Sequence, residues 1–376
     1  MFGREYLSVA LILHKYGGSS VADAASIKRV AERIVEAKRA GNDVVVTVSA
    51  MGDTTDDLIE MAHEVSDVPR SQRKWTCCSL PGERISMSLL AMAIRSLGED
   101  ARSFTGSQAG MMTSAEHGEA RIVDVTPTRV RQALDEGAVA IVAGFQGFNV
   151  DSKDITTLGR GGSDTTAVAL AAVLGADFCE ICTDVDGVFS ADPRVVPAAR
   201  KLDKVSYEEM LELAASGAKV LHIRAVEFAR RHGVRLHVRS SFSDAEGTWI
   251  GSSEGEQVEE PVITGVAGDV SDAKITVVGV PDIPGKAAEI FTIVADAGAN
   301  IDMIVQNTSV HQSGATDISF TLPKEVGQKA MEALSSKQAE AGFESLSLDE
   351  GIAKLSVVGA GMRTNAGVSA QLFKHS

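Results

Sequence analysis

No run of apolar residues in this chain approaches the roughly 20 that a membrane-spanning helix needs. The stretch Val9 to Leu13 is too short and too soon interrupted for a signal peptide, which points to the cytoplasm. Basic charge is also scarce: 36 Lys and Arg stand against 51 Asp and Glu, a formal net charge of −15. A reader of nucleic-acid backbone needs a basic face, so that class is argued against, whereas a local basic pocket for a nucleotide is not. Cysteine is limited to Cys77, Cys78, Cys179 and Cys182. The last two form a C-x-x-C, but no second pair stands at zinc-ribbon spacing, and residues three apart in the strand-like DFCEICT point to opposite faces. They read as small buried hydrophobes, and no metal site is assigned. Finally, no G-x-x-x-x-G-K-[ST] occurs, which excludes a Walker-type phosphate loop.

What is present is a chain of 376 residues, too long for one core, with 44% hydrophobic residues, ordinary for a soluble globular protein of two or three domains. The stretch that organises it is Thr156 to Thr166, TTLGRGGSDTT, followed at once by AVALAAVLGA. A glycine turn carrying Arg160, Gly161, Gly162, Ser163 and Asp164 opens there onto a helix, whose free N–H groups and dipole favour an anion. On the simplest view Asp164 or Thr165 caps the helix, but an arginine, three glycines and a hydroxyl exceed what a cap needs. The turn reads as the seat of an acidic small molecule.

Strand and helix patterns alternate through residues 9–240. Val9 to His14 reads as a strand and Lys15-Tyr16-Gly17-Gly18-Ser19-Ser20 as a turn; Ile27, Val30, Ile34 and Ala37 then mark a helix stopped by Gly41. Backbone donors in such a turn can cradle phosphate and Lys15 can stabilise a transferring phosphoryl group, although many glycine turns bind nothing. Val44 to Ser49 is continuous and β-branched, as in a parallel strand covered on both faces. Thr54 and Thr55 precede a helix, and Gly82-Glu83-Arg84 begins another that runs on through Ile85 to Leu97, where Glu83 is at least a partner of the helix dipole. Val139 to Phe145 and Asp177 to Thr183 are strands. The acidic loop Asp184 to Arg194 follows; it lacks EF-hand spacing, which leaves a nucleotide-contacting loop or a structural turn. Ser206 begins a helix with Glu208 and Glu209 in its first turn, Gly217-Ala218-Lys219 breaks it, and Val234 to Arg239 is a strand. The pattern predicts an α/β domain with a mainly parallel sheet over residues 9–246, followed by a polar, acidic linker over 247–262.

Beyond the linker, Ala273-Lys274-Ile275-Thr276-Val277-Val278-Gly279 returns as Ala353-Lys354-Leu355-Ser356-Val357-Val358-Gly359, Pro284-Gly285 as Ala366-Gly367, and Phe291 as Phe373. Both copies read strand, glycine turn, helix, an internal repeat of a small module. The first is expected over 263–345 and the second over 346–376, stopping at Ser376 inside its first helix.

Taken in order, K-Y-G-G-S-S, S-A-M-G, G-E-R-I-S, G-R-G-G-S-D-T-T, T-D-V-D-G-V and A-D-P-R resemble the aspartokinases over nearly the whole chain, most closely the actinobacterial type. The resemblance implies an amino-acid-kinase three-layer αβα sandwich, followed by ferredoxin-like (βαββαβ) ACT modules that sense lysine and threonine, the second incomplete. It implies ATP-dependent phosphorylation of the β-carboxylate of L-aspartate with Mg²⁺. On that basis Lys15, Tyr16, Gly17 and Gly18 meet the ATP phosphates. Ser49, Thr55, Glu83, Arg160, Gly161, Gly162 and Ser163 line the aspartate side, with Arg160 on a substrate carboxylate and Glu83 orienting the substrate amine or the catalytic lysine. Thr183, Asp184, Val188, Phe189, Ser190, Ala191, Asp192, Pro193, Arg194 and Lys219 form the nucleotide side. Lys15, Glu83, Arg160 and Asp184 are the implied catalytic set, with no general base, because the acceptor carboxylate is already ionised at pH 7. Asp282, Ile283, Pro284, Gly285 and Ala287, faced by Asn300, Ile301, Asp302 and Gln306, are the implied effector site. The family implies a homo-oligomer or an α/β hetero-oligomer with a shorter regulatory subunit.

Two departures from the family pattern stand out. Arg70 to Pro81 (RSQRKWTCCSLP) replaces something like Glu-Met-Asp-Met-Leu-Leu; codons for Glu-Met-Asp-Met-Leu read one base late give Lys74 to Cys78, so this stretch is expected to be an out-of-frame reading. The missing half of the second module predicts weaker inhibition by lysine plus threonine and poorer oligomerisation. The competing readings are another amino-acid kinase, acting on acetylglutamate or glutamate, and a non-catalytic amino-acid-binding subunit.

Overall fold

The computed structural model describes residues 9–65, 76, 79–252, 263–309, 314–359 and 367–374. It divides into two compact units, one running to Gly265 and including the chain from Val358, the other Val266–Val357. No described helix is long and apolar enough to cross a membrane.

The strands of the first unit are β1 (Leu11–Tyr16), β2 (Asp43–Val48), β3 (Ala101–Phe104), β4 (Met111–Thr113), β5 (Ile122–Val125), β6 (Val139–Ala143), β7 (Gln146–Phe148), β8 (Ile155–Thr157), β9 (Phe178–Thr183), β10 (Lys204–Ser206), β11 (Leu236–Ser240) and β12 (Thr248–Gly251). Its helices before Gly265 are α1 (Ala24–Arg39), α2 (Thr54–Val65), α3 (Pro81–Ser96), α4 (Thr128–Asp135), α5 (Gly162–Leu174), α6 (Tyr207–Ala215) and α7 (Ile223–His232). Eight strands form one sheet in the order β10-β12-β11-β9-β1-β2-β6-β3. The six from β11 to β3 run parallel, and β12 turns back antiparallel on β11.

Val44, Val46 and Val48 pack with α1 and α3 on one face, while α5, buried along most of its length, covers the other. A helix apolar all round is what a layer buried on both sides requires. The expected three-layer sandwich is therefore present. A second, four-stranded sheet, β5-β4-β7-β8, was not foreseen; its strands of three or four residues are too short for a periodic signal. Two expectations are corrected. Lys15 and Tyr16 end a strand instead of starting a turn, and the expected linker begins with β12, a strand of the main sheet. Of Arg70 to Pro81, residues 70–75, 77 and 78 lie outside the described residues, and the out-of-frame reading of Lys74 to Cys78, Thr76 apart, falls on them.

On the α1 face a buried charge network crosses three strands. Glu180 on β9 is level with His14 on β1 and His237 on β11. Its carboxylate takes Arg33 Nη2 at 3.1 Å and His237 Nδ1 at 3.1 Å, with Arg239 Nη1 at 3.6 Å. Burial, the largest influence, pushes this carboxyl up, but His237 and the guanidinium charges outweigh it and hold the group well below the usual range. Stability from Glu180 is thus complete above the unfolded value near 4.5 and is lost as pH falls below it. Glu180→Gln leaves two guanidiniums without their counter-charge and is expected to cost about 3–5 kcal/mol in urea unfolding at pH 7; a change under about 1 kcal/mol would show that the network holds little. Cys179 and Cys182 are buried and free, on opposite faces of β9 as expected, and burial raises both thiols.

Beyond β13 (Gly265–Asp269), the second unit continues with β14 (Asp272–Pro281), α8 (Lys286–Asp296), β15 (Ile304–Thr308), β16 (Ala315–Pro323), α9 (Lys324–Ser336) and β17 (Ser345–Asp349), and the antiparallel sheet runs β15-β16-β14-β17. This is the ferredoxin-like βαββαβ order, closed over Ile275, Val277, Ile290, Val294, Ile318, Phe320 and Leu334. β17 completes this sheet, so the first module runs past the expected 345. The strand of the second copy, Lys354–Val358, pairs with Gly265–Asp269, and the helix Val368–Lys374 follows it.

Candidate active site

The C-terminal ends of β9, β1, β2 and β6 lie side by side, at the edge where an open α/β sheet binds its ligands. β1 delivers Lys15. One residue out of phase with His14 and Tyr16, it projects to the α5 side, where its Nζ lies 2.7 Å from Asp164 Oδ1, both side chains being only 12% and 11% exposed. Tyr16 turns the other way, its ring buried in the α1-face core, so only its backbone reaches this edge. Beyond it, Gly52 N donates to Gly18 O at 3.0 Å, and Ser49 N to Tyr16 O at 3.0 Å. A Cβ on Gly18 would stand 2.7 Å from Gly52 O, so this close approach of two turns requires glycine.

The turn before α5 enters from the far side. Gly161 is the residue at the helix start, with φ 69°, and a Cβ there would stand 2.2 Å from His222 Cγ; glycine is required by conformation and by contact alike. No side chain caps α5. Asp164 is committed to Lys15, and Thr165 Oγ1 donates back to Gly161 O at 3.1 Å, so the capping view of both fails. Ser163 packs against Gly144 at the end of β6, and Arg160 is exposed.

Glu83, in the first turn of α3, is 3% exposed. Burial pushes its carboxyl up to about 7, and backbone N–H groups of Glu83 and Ala50 offset this only in part. Its Oε2 has no hydrogen-bond partner among the described residues. Ala50 follows Ser49 at the end of β2, and Thr55 lies near the same helix start, so Ser49, Thr55 and Glu83 are brought together.

At the end of β9, Thr183 Oγ1 donates to Asp184 Oδ1 at 3.1 Å, and Ser241 binds both Thr183 O and Ser20 Oγ, tying this end to the β1 turn. Val188 is buried, its N–H donated to Thr248 Oγ1 at 2.9 Å; Phe189 bridges Lys201, and Ser190 N–H reaches Arg200 O at 2.8 Å. Ala191 follows on the same loop, and beyond it Asp192 accepts both Nε and Nη2 of Arg194, at 3.0 and 2.8 Å, which holds its carboxyl at about 2. Pro193 and Lys219 are exposed, Lys219 acting weakly on Asp192. Asp164 is the residue that sequence reasoning passed over. An acid in a first helical turn reads as a dipole partner, and nothing in the sequence shows that β1 aims Lys15 at it.

In the second unit a cavity of about 300 Å³ is lined by Asp282, Ile283, Pro284, Gly285, Ala287 and Gln306, together with Thr316 and Ile318. Gln306 Nε2 donates to Thr316 Oγ1 at 3.2 Å. Asn300, Ile301 and Asp302 are not in its wall: Ile301 packs on the module core, and Asp302 pairs with Lys354, whose Nζ is also 3.4 Å from Asp272.

Comparison with known proteins fits this arrangement. The family model of the amino acid kinase family matches residues 10–240, and an ACT domain model matches 275–338. The aspartokinase of Mycolicibacterium smegmatis is 61% identical over 363 residues, 96% of this chain and 86% of that protein. Among solved structures, the aspartate kinase from Synechocystis is 40% identical with a TM-score of 0.58, and the match covers 97% of this chain but only 63% of that one. E. coli aspartokinase III, in complex with aspartate and ADP, shares the fold with a TM-score of 0.81 at 24% identity, over 97% of this chain and 91% of that one. By sequence, by fold and by the residues gathered at its strand ends, the chain belongs to the aspartokinases of the amino acid kinase family.

Proposed function

We propose that the first unit transfers the γ-phosphoryl group of ATP to the β-carboxylate of L-aspartate, giving 4-phospho-L-aspartate, the first step toward lysine, threonine and methionine, in the cytoplasm. The observation that carries this reading is the Lys15–Asp164 pair, which fixes an ammonium between the β1 glycine turn and the uncapped start of α5. The residues fit the nucleotide: at Gly18 the turn has backbone where a side chain would collide, and Lys15 supplies positive charge. When bound, ATP with Mg²⁺ supplies the phosphoryl group and neutralises much of its charge. Mg²⁺ commonly takes one or two carboxylates plus phosphate oxygens, and Asp184 is the exposed carboxylate at the end of β9.

The chain's own work is positioning and charge stabilisation. Arg160 takes a substrate carboxylate with the fork geometry an ammonium lacks. Ser49, Thr55 and Ser163 add hydroxyls, and ionised Glu83 holds the substrate ammonium. Lys15 stands where charge develops on the transferring group. The acceptor oxygen is already ionised, so no residue has to remove a proton. Thr183, Asp184, the Val188–Arg194 loop and Lys219 face the nucleotide. Arg160→Ala is expected to raise the aspartate KM by about 30-fold or more, the loss of a charge-assisted pair, with the ATP KM nearly unchanged. Steady-state kinetics with hydroxylamine trapping of the acyl phosphate measure both; equal effects on the two constants would assign the turn to the wrong ligand.

The cavity in the second unit is the seat we propose for lysine or threonine, with a second, similar module beginning after Asp349. Assembly with further copies, or with a shorter regulatory chain, is part of the same proposal.

A further inference from the structure

A cavity of about 650 Å³ lies between Leu158–Arg160, the approach to β5 and helix α7. Helix α7 presents Arg224, Glu227 and Arg231 to it, spaced three and then four residues apart on one helical face. Glu119 and Arg121 face it from the other wall, and Arg160 enters from the glycine turn. Arg224 braces the wall, donating to Leu158 O and, at 3.0 Å, to Ala120 O. The remaining charges are not spent on each other: among the described residues, the side chains of Glu119, Arg121, Arg160, Glu227 and Arg231 make no ion pair and no hydrogen bond. His222 packs its ring on Gly161 and keeps Nδ1 buried without a partner. Burial lowers the pKa of that imidazole, so the ring is neutral at pH 7 and free to donate or accept.

Guanidiniums and carboxylates that share a cavity without pairing suit a ligand that carries both charges itself. A small acidic amino acid does so, with two carboxylates and one ammonium. We propose that this cavity is a capture site for the free acidic amino acid on the substrate side of the catalytic unit, with Arg231 and Arg121 on its carboxylates and Glu227 on its ammonium. The inference rests on the reading of Arg160 as the substrate-side arginine, since Arg160 belongs to both places. In a chain of net charge −15, such a site gives an anionic substrate a local positive target.

The test is calorimetric titration of the whole chain, without nucleotide, with L-aspartate and with succinate, which has both carboxylates but no ammonium. Arg231 and Glu227 are exposed, so Arg231→Gln and Glu227→Gln keep the fold. Arg231→Gln is expected to weaken both ligands about 10-fold, the loss of one charge-assisted contact, and Glu227→Gln to weaken aspartate alone. Unchanged aspartate affinity in both variants, or equal loss of aspartate and succinate in Glu227→Gln, overturns the capture site. Arg160→Gln tells the two readings apart. If it weakens aspartate while the α7 variants do not, only the capture site falls; if it too has no effect, the substrate-side reading of the turn falls with it.

Discussion

Lys15→Met should lower kcat by about 1,000-fold, the upper range for removing one preorganised charge from a developing anion. The same change should destabilise the fold. Asp164, 11% exposed, loses the ammonium 2.7 Å away, and breaking a largely buried pair by removing one partner costs about 3–5 kcal/mol. The two effects separate in a second variant. Lys15→Met with Asp164→Asn removes the orphaned charge and should recover most of the lost stability in urea unfolding, while kcat stays low. A double variant that regains activity would show that Lys15 serves only to neutralise Asp164. A single variant that keeps more than about a tenth of kcat would remove Lys15 from the phosphoryl side altogether.

The Lys15–Asp164 pair also marks how far the sequence could be read. The alternation of apolar runs disclosed the parallel sheet, because its central strands, such as Val44–Val48, are buried on both faces and are almost continuously β-branched. The repeat disclosed the second unit, because two copies of one strand-turn-helix share their apolar spacing. The glycine turn before α5 was visible because Gly161 answers to backbone geometry, which composition reports directly. What stayed hidden were facts of direction. Lys15 looked like a turn residue because a lysine ends an otherwise apolar strand, and only the register of β1 against β2 and β9 sends it toward α5. Asp164 looked like a cap for the same reason. β12 looked like linker, since Thr248–Gly251 has four residues among polar neighbours and earns its place by pairing with β10 and β11. The Glu180 network was invisible, because its members come from β1, β9, β11 and α1, far apart in the chain.

Glu83 ties the site's chemistry to the stability of the fold. Its carboxyl keeps its proton up to about 7 in the folded chain, against 4.5 for the ordinary group, because burial disfavours the charge. The folded state therefore binds this proton more tightly than the unfolded state does. The stability it contributes is complete below pH 4.5 and is lost as pH rises through 7, about 3 kcal/mol over the whole window. Glu83→Gln carries no charge at any pH. The variant should match the wild type near pH 4.5 and exceed it by about 3 kcal/mol at pH 8, measured by chemical unfolding at both values. Activity should move the opposite way. An ionised Glu83 holds the substrate ammonium, so the wild-type KM for aspartate should fall as pH rises from 6 to 8. In the variant, KM should be about 10- to 100-fold higher, the worth of a charged hydrogen bond, and nearly flat with pH. Bound aspartate should in turn draw the carboxyl's pKa down, because an opposite charge at contact favours the ionised form. The residue then stores instability in the empty enzyme at neutral pH and releases it on binding. Identical pH dependence of unfolding in wild type and variant would show that Glu83 is not the group that titrates. A variant KM that still falls between pH 6 and 8 would place the ammonium contact on another residue.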